Sequence, residues 1–323
     1  MLSSQTRSPH ILDLFASPPL PHSPRYVDVS MSEALQGQAL LLMAHGSRDD
    51  EARKEYRRVH EALAARLAPV PVVFAVLEFP GDDGLLSIED GWRRCLELGA
   101  RRIVGLPFFL FPAGHVREDL PTELQAAREE HGWAELDLLP PLGAAEPLLD
   151  AVEARVDEAT ADGPGASAAL VLVGAGTSDP DANGDLCKAA RLLWERLHQR
   201  YPLVEPAWVS LTRPSVDEAI ERCVKLGAER IVLMPYFLNT GVLLKRIDAR
   251  LADAQAAYPG VSFSRGGHFG LHPRLLDLLE ARARAGLAVG DAPAGLTAVC
   301  GRPSCTSVAA GGAMLRQATL PVR

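Results

Sequence analysis

Leu41-Leu42-Met43-Ala44-His45-Gly46-Ser47-Arg48-Asp49 sets four apolar residues directly against a histidine, a glycine, a hydroxyl and an arginine. A polar run follows from Asp50, with Tyr56, Val59, Leu63 and Leu67 at helical spacing. An unbroken apolar run, a tight turn and a helix start together read as a strand buried on both faces of a parallel sheet. Open α/β sheets bind ligands beyond the carboxyl ends of their strands, and His45 stands at such an end. Taken alone, His45 reads equally well as a turn histidine satisfied by hydrogen bonds.

Outward from this stretch the alternation continues. A strand over 72–77 ends at Glu78. Ser87 is placed to cap a helix that stops at Gly99. The third strand, Arg102 to Phe109, runs into Gly114-His115. A helix from 117 to 130, a strand over 136–139 and a helix over 146–159 complete the unit. Strands alternating with helices imply a parallel sheet with right-handed crossovers. The stretch 162–167, rich in Gly, Pro and Ser, has the composition of a linker.

The pattern then repeats. Ser215 to Ala228 matches Ser87 to Ala100 at an offset of 128 (215 − 87), and Arg230 to Leu238 matches Arg102 to Leu110 at the same offset. Gly174 to Asp179 parallels Ala44 to Asp49, and Phe269 to Asp277 echoes Leu142 to Asp150. Steady offsets mean two copies of one unit. The expected fold class is α/β: two tandem flavodoxin-like domains, each a parallel sheet flanked by helices, with a cleft between them. Residues 38–162 form the first domain and 163–289 a degenerate repeat. Residues 1–37, rich in Ser and Pro, and 290–323, with Cys300 and Cys305, are expected to be tails outside any core. Met31 is an alternative translation start.

A net charge of −8 over 323 residues argues against nucleic-acid binding, and no apolar run reaches membrane-helix length. The five cysteines are an odd count, and Cys95, Cys187 and Cys223 fall within helical patterns. A disulfide framework is not expected, so the cytoplasm is the natural compartment.

His45, Glu78 and His115 follow three successive strands and so converge on one sheet edge. An imidazole–carboxylate set of this kind suits a divalent first-row metal. The second half lacks the set: Ala175 stands at the place of His45 and Leu243 at that of His115, and no carboxylate near 210–212 answers Glu78. One competent half and one silent half point to a single pocket between them.

The His45-Gly46-Ser47-Arg48 turn, Leu77-Glu78, and Pro107 to Leu110 followed by Gly114 to Pro121 resemble the class II chelatases that metallate sirohydrochlorin. The similarity spans Ala39 to Ala285 in two copies. The resemblance implies insertion of Co2+ or Fe2+ into sirohydrochlorin in cobalamin or sirohaem biosynthesis. It also implies His45 and His115 as active-site histidines and Glu78 as their acidic helper, all three serving catalysis and metal binding. Ser47, Arg48, Arg117, Lys245 and Arg246 are placed to meet the substrate's carboxylates. No organic cofactor is expected. Neither is an iron–sulfur cluster, since the chain lacks a tight Cys-x-x-Cys motif. A monomer with an internal pseudo-dimer is the expected state. The alternative is a carrier of cobalt or nickel without catalytic turnover.

Overall fold

In the computed structural model, which describes residues 36–112, 114–160, 163 and 167–288, the opening stretch folds as its pattern dictates. Gln38–Ala44 (β1) is buried along its whole length. Its side chains alternate between two cores: Leu40 and Leu42 enter one, while Ala39, Leu41 and Met43 enter the other. Strand β1 continues into α1 (Asp50–Leu67), β2 (Val72–Val76), β3 (Leu86–Ser87), α2 (Ile88–Glu97) and β4 (Arg102–Pro107). Ser87 caps α2 as expected, accepting from Asp90 N–H at 3.0 Å. The two-residue β3 was not announced by any periodicity.

The expected helix from 117 is corrected at its start. His115–Asp119 is a turn of π-helix, and α3 (Leu120–His131) follows it. Pro121 explains the change, because it has no N–H to offer the Arg117 carbonyl. The chain therefore enters α3 through a wider turn, a form often found at functional sites. Strand β5 (Glu135–Leu138) and α4 (Glu146–Ala159) finish the first half. The second half comprises β6 (Ala168–Gly174), α5 (Pro180–Leu197), β7 (Leu203–Trp208), α6 (Val216–Lys225), β8 (Arg230–Pro235), α7 (Val242–Ala257), β9 (Ser262–Arg265) and α8 (Pro273–Ala288).

The fold class is α/β, with two parallel sheets flanked by helices. Their strand orders are β3-β2-β1-β4-β5 and β7-β6-β8-β9. In register, Leu41 lies opposite Val73 on one side and Gly105 on the other. The second sheet has only a Trp208–Ser215 bridge where the first has β3.

The halves exchange their last helices. Helix α8 packs on α1, β1 and β4 of the first half, while α4 packs on β8, β9 and α5 of the second. One hydrophobic core therefore runs through both halves, taking Leu40, Leu42 and Val104 from one sheet and Leu170, Leu172 and Val232 from the other. Arg102, 8% exposed, fixes one end of the exchange. Its guanidinium pairs with Asp137 and donates to Gly286 O at 2.8 Å and Leu287 O at 3.2 Å, at the carboxyl end of α8. A cation is favoured there by the helix dipole. The matching Arg230 of the second half donates to Gly163 O beyond α4. Arg66 pairs with Asp277 at 2.8 Å, and Arg282 donates to Pro141 O at 2.6 Å.

Cys95 and Cys223 are buried, and burial pushes each thiol up to about 12. Cys187 is exposed on α5. No helix among the described residues is long and apolar enough to cross a membrane. The expected tails, the alternative start at Met31, most of the linker, and Cys300 with Cys305 lie outside the described residues.

Candidate active site

Gly46 makes the turn after β1 possible. It has φ +98°, and a Cβ there would collide with the carbonyl oxygen of Glu78. The same contact is repeated by Gly176 and Ser210 O, so Ser210 stands where the first half has Glu78. In both halves the turn is then tied into its helix. Ser47 Oγ accepts from Asp49 N–H at 3.1 Å, and Asp49 caps α1 through Glu51 and Ala52 N–H. Thr177 and Asp179 repeat this arrangement at the head of α5. Arg53 braces the first turn by donating to Ser47 O at 3.1 Å, and Asn183 braces the second by donating to Thr177 O at 2.7 Å.

These two turns flank a cleft of about 860 Å³ between the halves. His45 and Ser47 line it, as the sequence predicts. Its walls are largely aromatic and aliphatic, including Phe108, Phe109, Phe111, Trp208 and Tyr236. Phe111 and Tyr236 stack across the halves, 5.7 Å between centroids and 10° between planes. Glu118 and Asp119 bring acidic side chains to the same cleft.

Of the remaining predicted residues, Glu78, Arg48, Arg117, Lys245 and Arg246 lie around this chamber rather than in its lining. Glu78 is half-buried, and its N–H donates to His45 O at 2.8 Å. His115 opens the π-turn, and its side chain lies outside the described part of the structure. Arg48 is exposed, its guanidinium 4.4 Å above the Phe79 ring. Arg246 is exposed on α7. Arg117 and Lys245 are engaged across the cleft in related ways. Lys245 meets Asp49, the cap of α1, at 2.7 Å; Arg117 meets Asp179, the cap of α5, at 3.3 Å and Asp181 at 3.3 Å. Each half thus lends a cation to the other's helix cap. The hydrogen bond from Lys245 holds the Asp49 carboxyl below its ordinary value.

Sequence reasoning missed part of the lining. Tyr56 reads as a core residue of α1, and it is buried. Yet its hydroxyl, pushed up to about 12 by burial, lies beside the Asn239 side chain and the Gly46 backbone. Asn239, Thr240 and Gly241 occupy the second half's counterpart of Phe111 to Ala113, and the loss of aromatic character there was the available signal. Among the described residues, the one group of three or more possible ligands within reach of a single ion lies elsewhere: Glu89, Glu130 and His131, on the first half's outer helices.

Two parallel α/β repeats sharing a core, with one imidazole-bearing turn facing an apolar cleft, define a bilobal α/β protein built to enclose a sizeable ligand at its strand ends. The CbiX family matches residues 39–159 and again 169–285, and the chain belongs to that family. It is 35% identical over 255 residues to a sirohydrochlorin cobaltochelatase of Priestia megaterium, covering 77% of this chain and 80% of the relative. It is 29% identical to a sirohydrochlorin ferrochelatase of Bacillus subtilis, covering 76% and 91%. Among solved structures, SirB of Bacillus subtilis with Fe3+ superposes with a TM-score of 0.67 at 28% identity, covering 78% of this chain and 96% of that one. The chelatase SirB of a Bacillus subtilis subspecies, in complex with cobalt, gives 0.64 at 26% identity.

Proposed function

We propose that this chain is a chelatase, a lyase that inserts Co2+ or Fe2+ into sirohydrochlorin. One observation carries the reading beyond family membership: His45 lies at a strand end and lines an apolar chamber shared by both halves. The chamber's size is ordinary for a ligand site, and its aromatic walls suit a flat macrocycle. A carrier that merely held Co2+ or Ni2+ would have no use for such walls.

Insertion must strip water from the cation and release two pyrrole N–H protons. In this reading His45 ligates the incoming metal or takes a proton from the macrocycle, with His115 and Glu78 completing the set. An imidazole can do either: its ring nitrogen ligates divalent metals and accepts protons. The substrate's rim carries up to eight carboxylates, and the four cations Arg48, Arg117, Lys245 and Arg246 are their candidate partners. Arg117 and Lys245 would first have to exchange Asp179 and Asp49 for substrate carboxylates.

The test is anaerobic mixing of the purified chain with sirohydrochlorin and Co2+, followed by absorbance. Catalytic acceleration is expected, with loss of at least a hundredfold in His45→Ala, the usual scale of a general acid–base group. Stoichiometric Co2+ binding without acceleration would favour the carrier.

A further inference from the structure

Among the described residues the second half brings no imidazole to the cleft, but what replaces it has its own character. At the offset of 128, Gly114-His115 of the first half becomes Val242-Leu243. Both Val242 and Leu243 line the cleft, and Val242 is 55% exposed. Leu211 lines it too, and it is 85% exposed. Leu211 also has φ +62°, a left-handed conformation that a leucine adopts only at an energetic cost. Nearby hydrogen bonds hold the segment: Thr212 N–H donates to Ser210 O at 2.6 Å, and Thr212 Oγ1 to Thr177 O at 3.0 Å.

The first half has the same backbone kink at Phe79, with φ +56°, but there Arg48 covers the ring. Leu211 has no such cover. A strained backbone displaying a bare apolar side chain gains nothing for the folded chain by itself. It gains if a ligand surface completes the contact.

We propose that Leu211, Val242 and Leu243 form an apolar platform that receives one flat face of the tetrapyrrole. The opposite face is then left toward the half bearing His45, the side from which the metal enters. This assignment rests on the chelatase reading and gives the second half a role in it. The half whose cleft lining carries no imidazole fixes the plane of the macrocycle, and the half bearing His45 works on its exposed face.

The experiment uses the full chain and two readouts: titration of metal-free sirohydrochlorin, followed by its absorbance, and steady-state Co2+ insertion. Leu211→Asn keeps a residue that tolerates positive φ and removes the apolar surface. Its dissociation constant and KM should each rise about tenfold, or ~1.4 kcal/mol, with kcat changed less than twofold and thermal stability not reduced. Adding Val242→Ser should raise both constants further. Leu226→Asn, altering a leucine 70% exposed beyond the end of α6 and outside the cleft lining, should change neither. If Leu211→Asn lowers the folded fraction, Leu211→Gly, which fits the backbone without strain, decides in its place. Unaltered dissociation constant and KM in the double variant would overturn the platform, as would a loss confined to kcat. An unmodified chain that neither binds nor metallates sirohydrochlorin would instead overturn the chelatase reading itself.

Discussion

Removing α8 should unfold the first half, although α8 belongs to the second half by sequence. Leu275, Leu276, Leu278, Leu279 and Leu287 of this helix are each no more than 8% exposed. At about 2 kcal/mol for each buried leucine, their removal forfeits ~10 kcal/mol. That is comparable to the whole stability of an ordinary domain, about 5–15 kcal/mol. The anchor at Arg102 goes as well, leaving a buried guanidinium without the Gly286 and Leu287 carbonyls. A chain ending at Leu271 should therefore show no cooperative urea transition by circular dichroism, and it should be cut rapidly by protease within β1 to β5. A chain ending at Ala288 should match the full-length protein. If the shorter chain unfolded cooperatively at the same midpoint, the exchanged helix would be dispensable and the shared-core argument wrong.

Glu78→Gln keeps the side chain's shape and removes its charge, so initial-rate kinetics should show kcat falling with KM nearly unchanged; an unchanged rate would leave Glu78 a structural residue of the turn. Charge reversal at Lys245 and Arg246 together should raise KM for sirohydrochlorin, and repeating the assay at high salt should shrink the effect, since rim charges are screened. Stability should also report on His272. Its Nδ1 accepts the Arg274 N–H at 3.2 Å at the head of α8, and burial, aided by Arg155, holds its pKa below the ordinary 6.5. The folded chain thus binds this proton less readily than the unfolded chain. The stabilisation is complete above about pH 6.5 and is lost as pH falls through the lower folded-state value. Urea midpoints at pH 7.5 and 5.5 should differ less in His272→Asn than in the unmodified chain.

Much of this architecture was legible because it is local. The apolar run before His45, the cap at Ser87 and the helix over 146–159 are each written in a few adjacent residues, and the structure places them there. The duplication was legible because the steady offset of 128 needs no structure to be seen. The helix exchange left no such mark: α4 and α8 have equally apolar faces, and nothing in either says which sheet it covers. The π-turn could have been drawn from Pro121, whose missing N–H lies four residues after Arg117. Of the site, the turn and the lining histidine were readable from strand ends. The partners of Lys245 and Arg117 were not, because each lies in the opposite half, and Leu211 was hidden by an ordinary residue name on an unusual backbone.

The reciprocal anchoring through Arg102 and Arg230 also sets a timetable for synthesis. Strands β1 to β5 leave the ribosome as far as Leu138, yet α8, which completes the cover that α1 begins on one face of their sheet, starts only at Pro273. At roughly 5–20 residues per second, the first sheet waits on the order of ten seconds for its cover. Through that interval the Leu40, Leu42 and Val104 face has α1 against it but lacks α8, so part of its apolar surface stays open to other chains.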